Sequence, residues 1–397
     1  MNSIYVMKKN GLVEHFNPEK IHSAIRKSAE RVARNLSDDE VRMVSSYVYD
    51  KLNESDDECF CVSYLHKLVE KSLDDLGFND VSRSYKDYRN YKMDYIKMMN
   101  AVDRKTRQLK YQDDKSNANT DSSLVSTKRS LIYQELNSEM YKRTFLKPEE
   151  LEAMSEGYIY IHDRGSRLDT FNCCLADIGS IMKGGFTLGP IEYTEPKTVR
   201  SAIAVMSDCM SVMCGNQYGG LSVMIDDILA PYAEKSYRMY MNMYKDMVEK
   251  CNGVYDESKA DEWSIEEVRN DIAQGIQGME HTFNSVSSSR GDFPFTTFAF
   301  GVNNTRFGKL VSNVVLDVRK KGQGRDGNKM PVMFPKLVFL YDENLHGEGK
   351  ELEDLFMNAI DCSSKCMYPD YLSLTGEGYV PSMYKKYGHD GIVFPMG

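Results

Sequence analysis

No uninterrupted apolar run in the 397-residue chain approaches the roughly 18 residues that a bilayer-crossing helix needs. The first ten residues are polar and hold no apolar signal-peptide core. A basic excess is also lacking: 50 Lys and Arg stand against 59 Asp and Glu, a net charge of −9. That is the wrong sign for a protein that wraps duplex nucleic acid. None of the nine cysteines forms a C-x-x-C pair, which removes a locally assembled zinc knuckle or thioredoxin-type motif. Their odd number and irregular spacing argue against a disulfide framework. Cys362 and Cys366 fall four apart and read as thiols on one helix face rather than as metal ligands. Internal repeats and low-complexity tracts are missing too. What remains is a soluble, cytoplasmic globular protein without nucleic-acid or membrane partners, long enough for two or three domains.

The first 90 or so residues read as a hairpin followed by helices. Residues 3–7, Ser-Ile-Tyr-Val-Met, are β-rich, Asn10-Gly11 is a turn signal, and residues 12–16 form the return strand. Asn17-Pro18 offers an N-cap with proline at the first helical position. Ile21, Ala24, Ile25, Ala29 and Val32 then recur at helical spacing. Further helices are expected over 38–52, over 62–77 and from about residue 80. Lys8, Lys9, Glu14, Asn17 and Lys20 can converge at the hairpin and helix start. Cations beside a helix N-terminus suit phosphate, and the polar groups suit a ribose or base. A solvated hairpin beside an ordinary cap is the plainer reading of the same residues.

The string Val6-x-Lys8-Lys9-x-Gly11-x-x-Glu14-x-Phe16-Asn17-x-x-Lys20-Ile21, closed by Tyr85-x-x-Tyr88-Arg89, resembles the ATP-cone, a regulatory domain at the N-terminus of many ribonucleotide reductases. The resemblance covers residues 3–95. It implies that Lys8, Lys9, Glu14, Asn17 and Lys20 contact ATP or dATP as an allosteric effector. Many cones place a threonine ahead of the third helix where this chain has Val62, so that hydroxyl contact is absent or passes to Ser63.

Residues 102–130 are charged, then small and polar, the composition of a linker. The expected organisation is a domain over 1–95, a linker over 96–130 and a larger body over 131–397. From residue 130 the pattern turns α/β, with apolar strands expected at 158–161, 295–300 and 336–341. Strands apolar on both faces fit a parallel or mixed sheet sheathed by helices. Gly215-Asn-Gln-Tyr-Gly219-Gly220 is glycine-rich but lacks the Lys-Ser/Thr of a P-loop, and reads as a plain turn or a ligand loop. Gly322-Gln-Gly-Arg-Asp-Gly327 reads as an exposed turn, and His162-Asp163 as a capping turn at a strand end. The vicinal pair Cys173-Cys174 must point to opposite faces if it lies in a strand, so only one thiol can face a given cavity. A buried inert thiol is the default for either.

Taken in order, Tyr160-Ile-His-Asp163, Phe171-Asn-Cys-Cys-Leu175, Gly184-Gly185, Gln217-Tyr-Gly-Gly220, Leu229-Ala-Pro-Tyr232 and Phe334-Pro-Lys336 resemble the catalytic domain of anaerobic, class III ribonucleoside-triphosphate reductases. Asn117-Ala-Asn119 resembles the start of that domain. The resemblance implies the first part of a ten-stranded α/β barrel of the glycyl-radical type, following a mainly helical cone. It implies reduction of ribonucleoside triphosphates to deoxy forms, with Cys173 returning a hydrogen to C2′ of the ribose and Cys174 facing away. Gly219 and Gly220 become candidates for close backbone approach to the substrate.

In the family a glycyl radical passes its unpaired electron to a cysteine on a loop inside the barrel, and structural zinc lies near the glycyl site. Neither that cysteine, nor an Arg-Val-x-Gly-Tyr motif, nor the zinc-binding cysteine pairs occur before Gly397. The expectation is therefore an N-terminal portion, truncated or split, inactive alone and completed by a C-terminal reductase portion. The other implied partners are a radical S-adenosylmethionine activating enzyme, formate or a thioredoxin-like reductant, and a second copy in a homodimer. The alternative is a non-catalytic ATP- or dATP-sensing fragment that binds another reductase chain.

Overall fold

A computed structural model of the chain describes residues 4–8, 11–111, 123–168, 171, 173–216, 219–288 and 291–394. The chain divides into two compact units, Met1–Asp103 and Arg104–Gly397.

In the first unit, β1 (Tyr5–Met7) pairs antiparallel with β2 (Val13–His15), and Gly11 takes the left-handed φ of +81° that the hairpin needs. Three helices follow: α1 (Pro18–Arg31), α2 (Asp38–Asn53) and α3 (Val62–Asp75). Their starts obey local chemistry. The Asn17 side chain accepts from the Glu19 N–H at 2.9 Å, and Ser37 with Glu40 completes a capping box on α2. α3 gives way to Gly77, again at a φ of +81°. The apolar faces meet in one core that includes Val6, Ile25, Val44, Val48, Val69 and Leu73.

Two features depart from the sequence reading. A third strand, β3 (Cys59–Cys61), lies parallel to β1; three residues without a turn signal give pattern analysis nothing to hold. The last helix, α4 (Asn79–Tyr111), runs well into the stretch expected as linker. Lys, Arg, Met and Gln are good helix formers, and nothing between 96 and 111 breaks the helix. The stretch is helical again from Val125, and 112–122, with Asn117-Ala-Asn119, lie outside the described residues.

The second unit opens with α5 (Val125–Phe145) and α6 (Pro148–Ser155). Residues 158–161 are not a strand: no strand among the described residues pairs with this aromatic run, and Tyr158 and Tyr160 are about four-fifths exposed. His162 and Asp163 form a close pair, Nδ1 to Oδ1 3.1 Å, at a turn where Asp163 adopts a φ of +52°.

The body is a five-stranded sheet in the order β12-β11-β8-β7-β4. Its strands are β4 (Cys174–Leu175), β7 (Leu221–Met224), β8 (Thr296–Phe300), β11 (Lys336–Tyr341) and β12 (Asp370–Ser373), and every neighbouring pair is parallel. Between β4 and β7 come α7 (Ile178–Gly184), the hairpin β5 (Phe186–Leu188) and β6 (Ile191–Tyr193), and α8 (Val199–Cys214). Then follow α9 (Ile225–Lys250), α10 (Glu257–Ser285) and α11 (Arg306–Lys321). The glycine-rich stretch 322–327 forms part of a second small hairpin, β9 (Gln323–Arg325) with β10 (Asn328–Met330). The chain continues with α12 (Glu343–His346), α13 (Glu353–Cys366) and α14 (Tyr379–Tyr387).

Both faces of the central strands β7, β8 and β11 are buried, and the period of two assigns side chains to each. Leu221, Val223, Phe298, Phe300, Leu337 and Phe339 pack into the core with α8, α9, α10, α11 and α13. Ala299, Val338 and Leu340 face the opposite way, toward Val380, Tyr384, Ile392 and Phe394 of the final segment. The architecture is α/β, mostly helical, around a parallel sheet. A buried ion pair ties it together: Arg319 Nε donates to Glu280 Oε1 at 2.8 Å, both side chains being inaccessible. Arg319 also donates to the Pro335 carbonyl, and Gln323 to the other Glu280 oxygen. Cys362 and Cys366 belong to the same packing, their thiols lying within reach of the Leu316 and Arg319 carbonyls of α11. Burial pushes the Cys362 thiol up to about 12, which makes it inert.

Candidate functional site

The first unit brings Lys8, Glu14 and Lys20 together. Glu14 projects from β2, Lys8 follows β1, and Lys20 lies in the first turn of α1. Both ammonium groups reach the Glu14 carboxylate, Lys8 at 2.6 Å and Lys20 at 2.5 Å. Hydrogen bonds from Lys20 and then Lys8 hold that carboxyl below its usual range. Two cations and one anion leave a net positive charge. Asn17 stands at the same helix start with its side-chain oxygen committed to the cap. Lys9 lies outside the described residues.

Lys20 also borders a cavity of about 530 Å³ walled by α1, α3 and α4. Lys20, Lys27 and Arg31 line it from α1, and Arg89 and Lys92 from α4, whereas no carboxylate lines it among the described residues. In a chain of net charge −9, five basic side chains around one cavity make a site for a polyanion. Its apolar lining comes from Val62, Met93 and Ile96, and its aromatic lining from Tyr85 and Tyr88. The Arg31 guanidinium stacks 3.9 Å from the centre of the Tyr88 ring, a cation–π arrangement that fixes its plane. His66 Nδ1 meets the Tyr85 hydroxyl at 2.6 Å, and burial raises the Tyr85 pKa well above that of a free phenol. Arg89 is oriented by Glu70 at 2.5 Å.

A neighbouring cavity of about 500 Å³ shares His66, Arg89 and Met93 and adds Ser63, Lys67 and Lys97. Val62 therefore borders the first cavity and Ser63 the second. Lys27, Arg31, His66 and Lys92 were not singled out from the sequence. The available signal was spacing: Lys20, Lys27 and Arg31 follow at seven and four residues, and Tyr85, Tyr88, Arg89 and Lys92 at three, one and three, so each set shares a helix face.

In the second unit, Cys173 immediately precedes β4 and Gly220 immediately precedes β7. Parallel pairing sets Cys174 opposite Leu221, with the Cys174 N–H donating to the Gly220 carbonyl at 3.0 Å. In return the Gly220 N–H lies 3.1 Å from the Cys173 sulfur and donates to it. Cys173 and Gly220 are thus in direct contact. Cys174 packs against the helix-side core, and burial, with Cys173 a lesser cause, raises its pKa. Gly219 adjoins this pair along the chain, while Asn172, Gln217 and Tyr218 lie outside the described residues. A sulfur held by a backbone amide at the edge of a sheet can give up a hydrogen atom, a task that requires no thiolate.

Two family models match the chain. Residues 4–94 match the ATP cone domain family, and residues 116–397 match the family described as anaerobic ribonucleoside-triphosphate reductase. Relatives of that name include the protein of Haemophilus influenzae, 27% identical over 98% of this chain and 57% of its own length. That of Escherichia coli is 29% identical over 93% of this chain and 51% of its own length. The chain spans about half the length of the curated relatives it matches. Among solved structures, the anaerobic ribonucleotide reductase from Thermotoga maritima with MES in the active site aligns at 16% identity and a TM-score of 0.46, over 75% of this chain and 49% of the other. The matched region takes in most of these 397 residues, and the chain belongs to the anaerobic ribonucleoside-triphosphate reductase family.

Proposed function

We propose that this chain senses ATP or dATP through its first unit and contributes the hydrogen-donating cysteine of a ribonucleoside-triphosphate reductase through its second. The division of labour assigned to it is a cone over residues 1–95, a connecting stretch over 96–130 and a catalytic body over 131–397. The observation that carries the catalytic part is the Cys173 sulfur held against the Gly220 amide, with Cys174 turned into the helix-side core. In this reading the five parallel strands are the first part of a ten-stranded barrel. Cys173 returns a hydrogen atom to C2′ after the 2′-hydroxyl has left, and Gly219 and Gly220 let the backbone approach the substrate. The protein supplies orientation and exclusion of water around radical intermediates.

The complete enzyme takes its glycyl radical, its radical-bearing cysteine and structural zinc from a C-terminal reductase portion. It takes activation from a radical S-adenosylmethionine protein and reducing equivalents from formate or a thioredoxin-like protein, and it works as a homodimer. In the cone, Lys8, Lys9 and Lys20 and the basic side chains of the cavity bind the phosphates, while Glu14 and Asn17 serve the ribose or base. Charge-assisted hydrogen bonds of this kind are the strong ones.

The test is anaerobic turnover with the complementing portion and activating protein supplied. Cys173→Ser abolishes deoxynucleotide formation and Cys174→Ser retains much of it; the reverse pattern overturns the assignment. A second reading, nucleotide sensing without catalysis, draws on the cavity being complete within the first unit. Nucleotide binding with no turnover under any complementation supports it.

A further inference from the structure

The carboxyl ends of β7, β8 and β11 carry a polar network that the proposed chemistry does not use. β7 runs directly into α9, so Asp226 and Asp227 occupy the first turn of that helix. Asp226 is wholly buried and accepts from the Gly301 N–H at 2.9 Å, just past β8, and from the Ser312 hydroxyl of α11 at 3.2 Å. The Gly301 carbonyl meets His346 Nε2 at 2.8 Å. The other nitrogen of His346 faces the backbone of Asp342, the residue after β11. Three strand ends are thereby knitted into one polar layer.

Two side chains from the final segment close onto this layer. His389 Nε2 lies 2.6 Å from Asp227 Oδ2, whose other oxygen accepts from Asn303 at 2.9 Å. The Tyr384 hydroxyl donates to Asp342 Oδ2 at 3.1 Å. Beneath them Val380, Ile392 and Phe394 pack on Ala299, Val338 and Leu340. An apolar pad alone would hold the segment without fixing its register, since apolar packing is non-directional. The two polar contacts supply the direction. One is indifferent to pH across the neutral range, and the other is not, because imidazole is the side chain whose charge changes there.

We propose that Asp227 and His389 form a proton-dependent clasp that positions residues 388–394 across the carboxyl ends of β7 and β8, tight when His389 is charged and loose when it is neutral. Both are positioning residues, and the inference stands independently of the reductase reading. The charges acting on His389 are Asp227 and Asp226 from α9 and Asp390 beside it. The hydrogen bond to Asp227 is the largest cause raising the His389 pKa, against desolvation. A raised histidine stabilises the closed state fully below its unperturbed value and loses that contribution as pH climbs through the raised one. Burial, and then Asp227, push the Asp226 carboxyl up to about 7. Once ionised, Asp226 adds a negative charge that raises the His389 pKa and so favours the charged imidazole. The clasp therefore weakens as pH climbs through the raised His389 value.

Hydrogen exchange of the 397-residue chain, corrected for intrinsic rates and followed in peptides covering 379–394, tests this. The His389 pKa is higher in the closed state than in the open one, so faster opening is expected at pH 8.5 than at pH 6. Asp227→Asn and His389→Gln open at the fast rate at both pH values. Tyr384→Phe loosens the segment equally at both. Peptides from α10 stay unchanged in all variants and report that the body is folded. Protection independent of pH in the wild type, or variants that keep the wild-type pH response, overturns the clasp. Should a variant fail to fold, the NMR titration of His389 in the wild type decides: a midpoint above the ordinary histidine value supports the clasp, and one at or below it overturns it.

Discussion

The two units use charge in opposite ways. In the first, Lys20, Lys27, Arg31, Arg89 and Lys92 border open space with no carboxylate lining the same cavity among the described residues. In the second, Arg319 and Glu280 are sealed inside, paired at 2.8 Å and bonded further to Pro335 and Gln323, and Asp226 is buried under three donors. Gathering like charges around an open cavity costs self-repulsion that a bound anion relieves. Burying opposite charges costs desolvation that only excellent geometry offsets. The first arrangement suits an anionic ligand, and the second suits a closed interior. Charge in this chain is therefore informative about function only once its burial is known.

The contrast can be broken at several points. Cys173→Ser in the complemented enzyme has the largest effect, reducing deoxynucleotide formation to background. Next comes the buried pair. Glu280→Ala strands the Arg319 guanidinium without its anion and destabilises the second unit by about 3–5 kcal/mol, read as a lowered midpoint in denaturant unfolding. A loss under 1 kcal/mol would mean that the pair is dispensable. Removing the Asn17 cap with Asn17→Ala weakens the first unit by about 0.5–2 kcal/mol in the same assay and leaves the unfolding of the second unit unchanged, so a shift of both transitions would contradict a cap that acts only on its own unit.

Much of this fold can be read from short-range signals. Caps and stop residues mark α1, α2 and α3 because Asn17, Ser37 and Gly77 act on backbone within a turn of themselves. β8 and β11 stand out because both faces of a central parallel strand must be apolar. The same rule fails at residues 158–161, where an apolar run without a partner strand lies exposed. It also fails at β3, which exists only because β1 is there to pair with it. In the site, Lys8, Glu14 and Lys20 are legible as neighbours at the hairpin and helix start, and they meet there as ion pairs. The cavity is not legible: Lys27 and Lys92 lie 65 positions apart and share a wall only through the packing of α1 against the far helix. Likewise, His389 and Asp227 are separated by 162 positions, and neither belongs to a pattern that announces the other.

The most direct measurement is calorimetric titration of ATP and dATP into the 397-residue chain and into a Lys27→Ala/Lys92→Ala variant. Loss of two charge-assisted phosphate contacts weakens binding by about 1–3 kcal/mol, more at low salt than at high, and that loss is expected with the unfolding midpoint unchanged. Equal affinity in the two proteins would contradict it, because the basic cavity would then be a solvated groove and not the seat of the nucleotide.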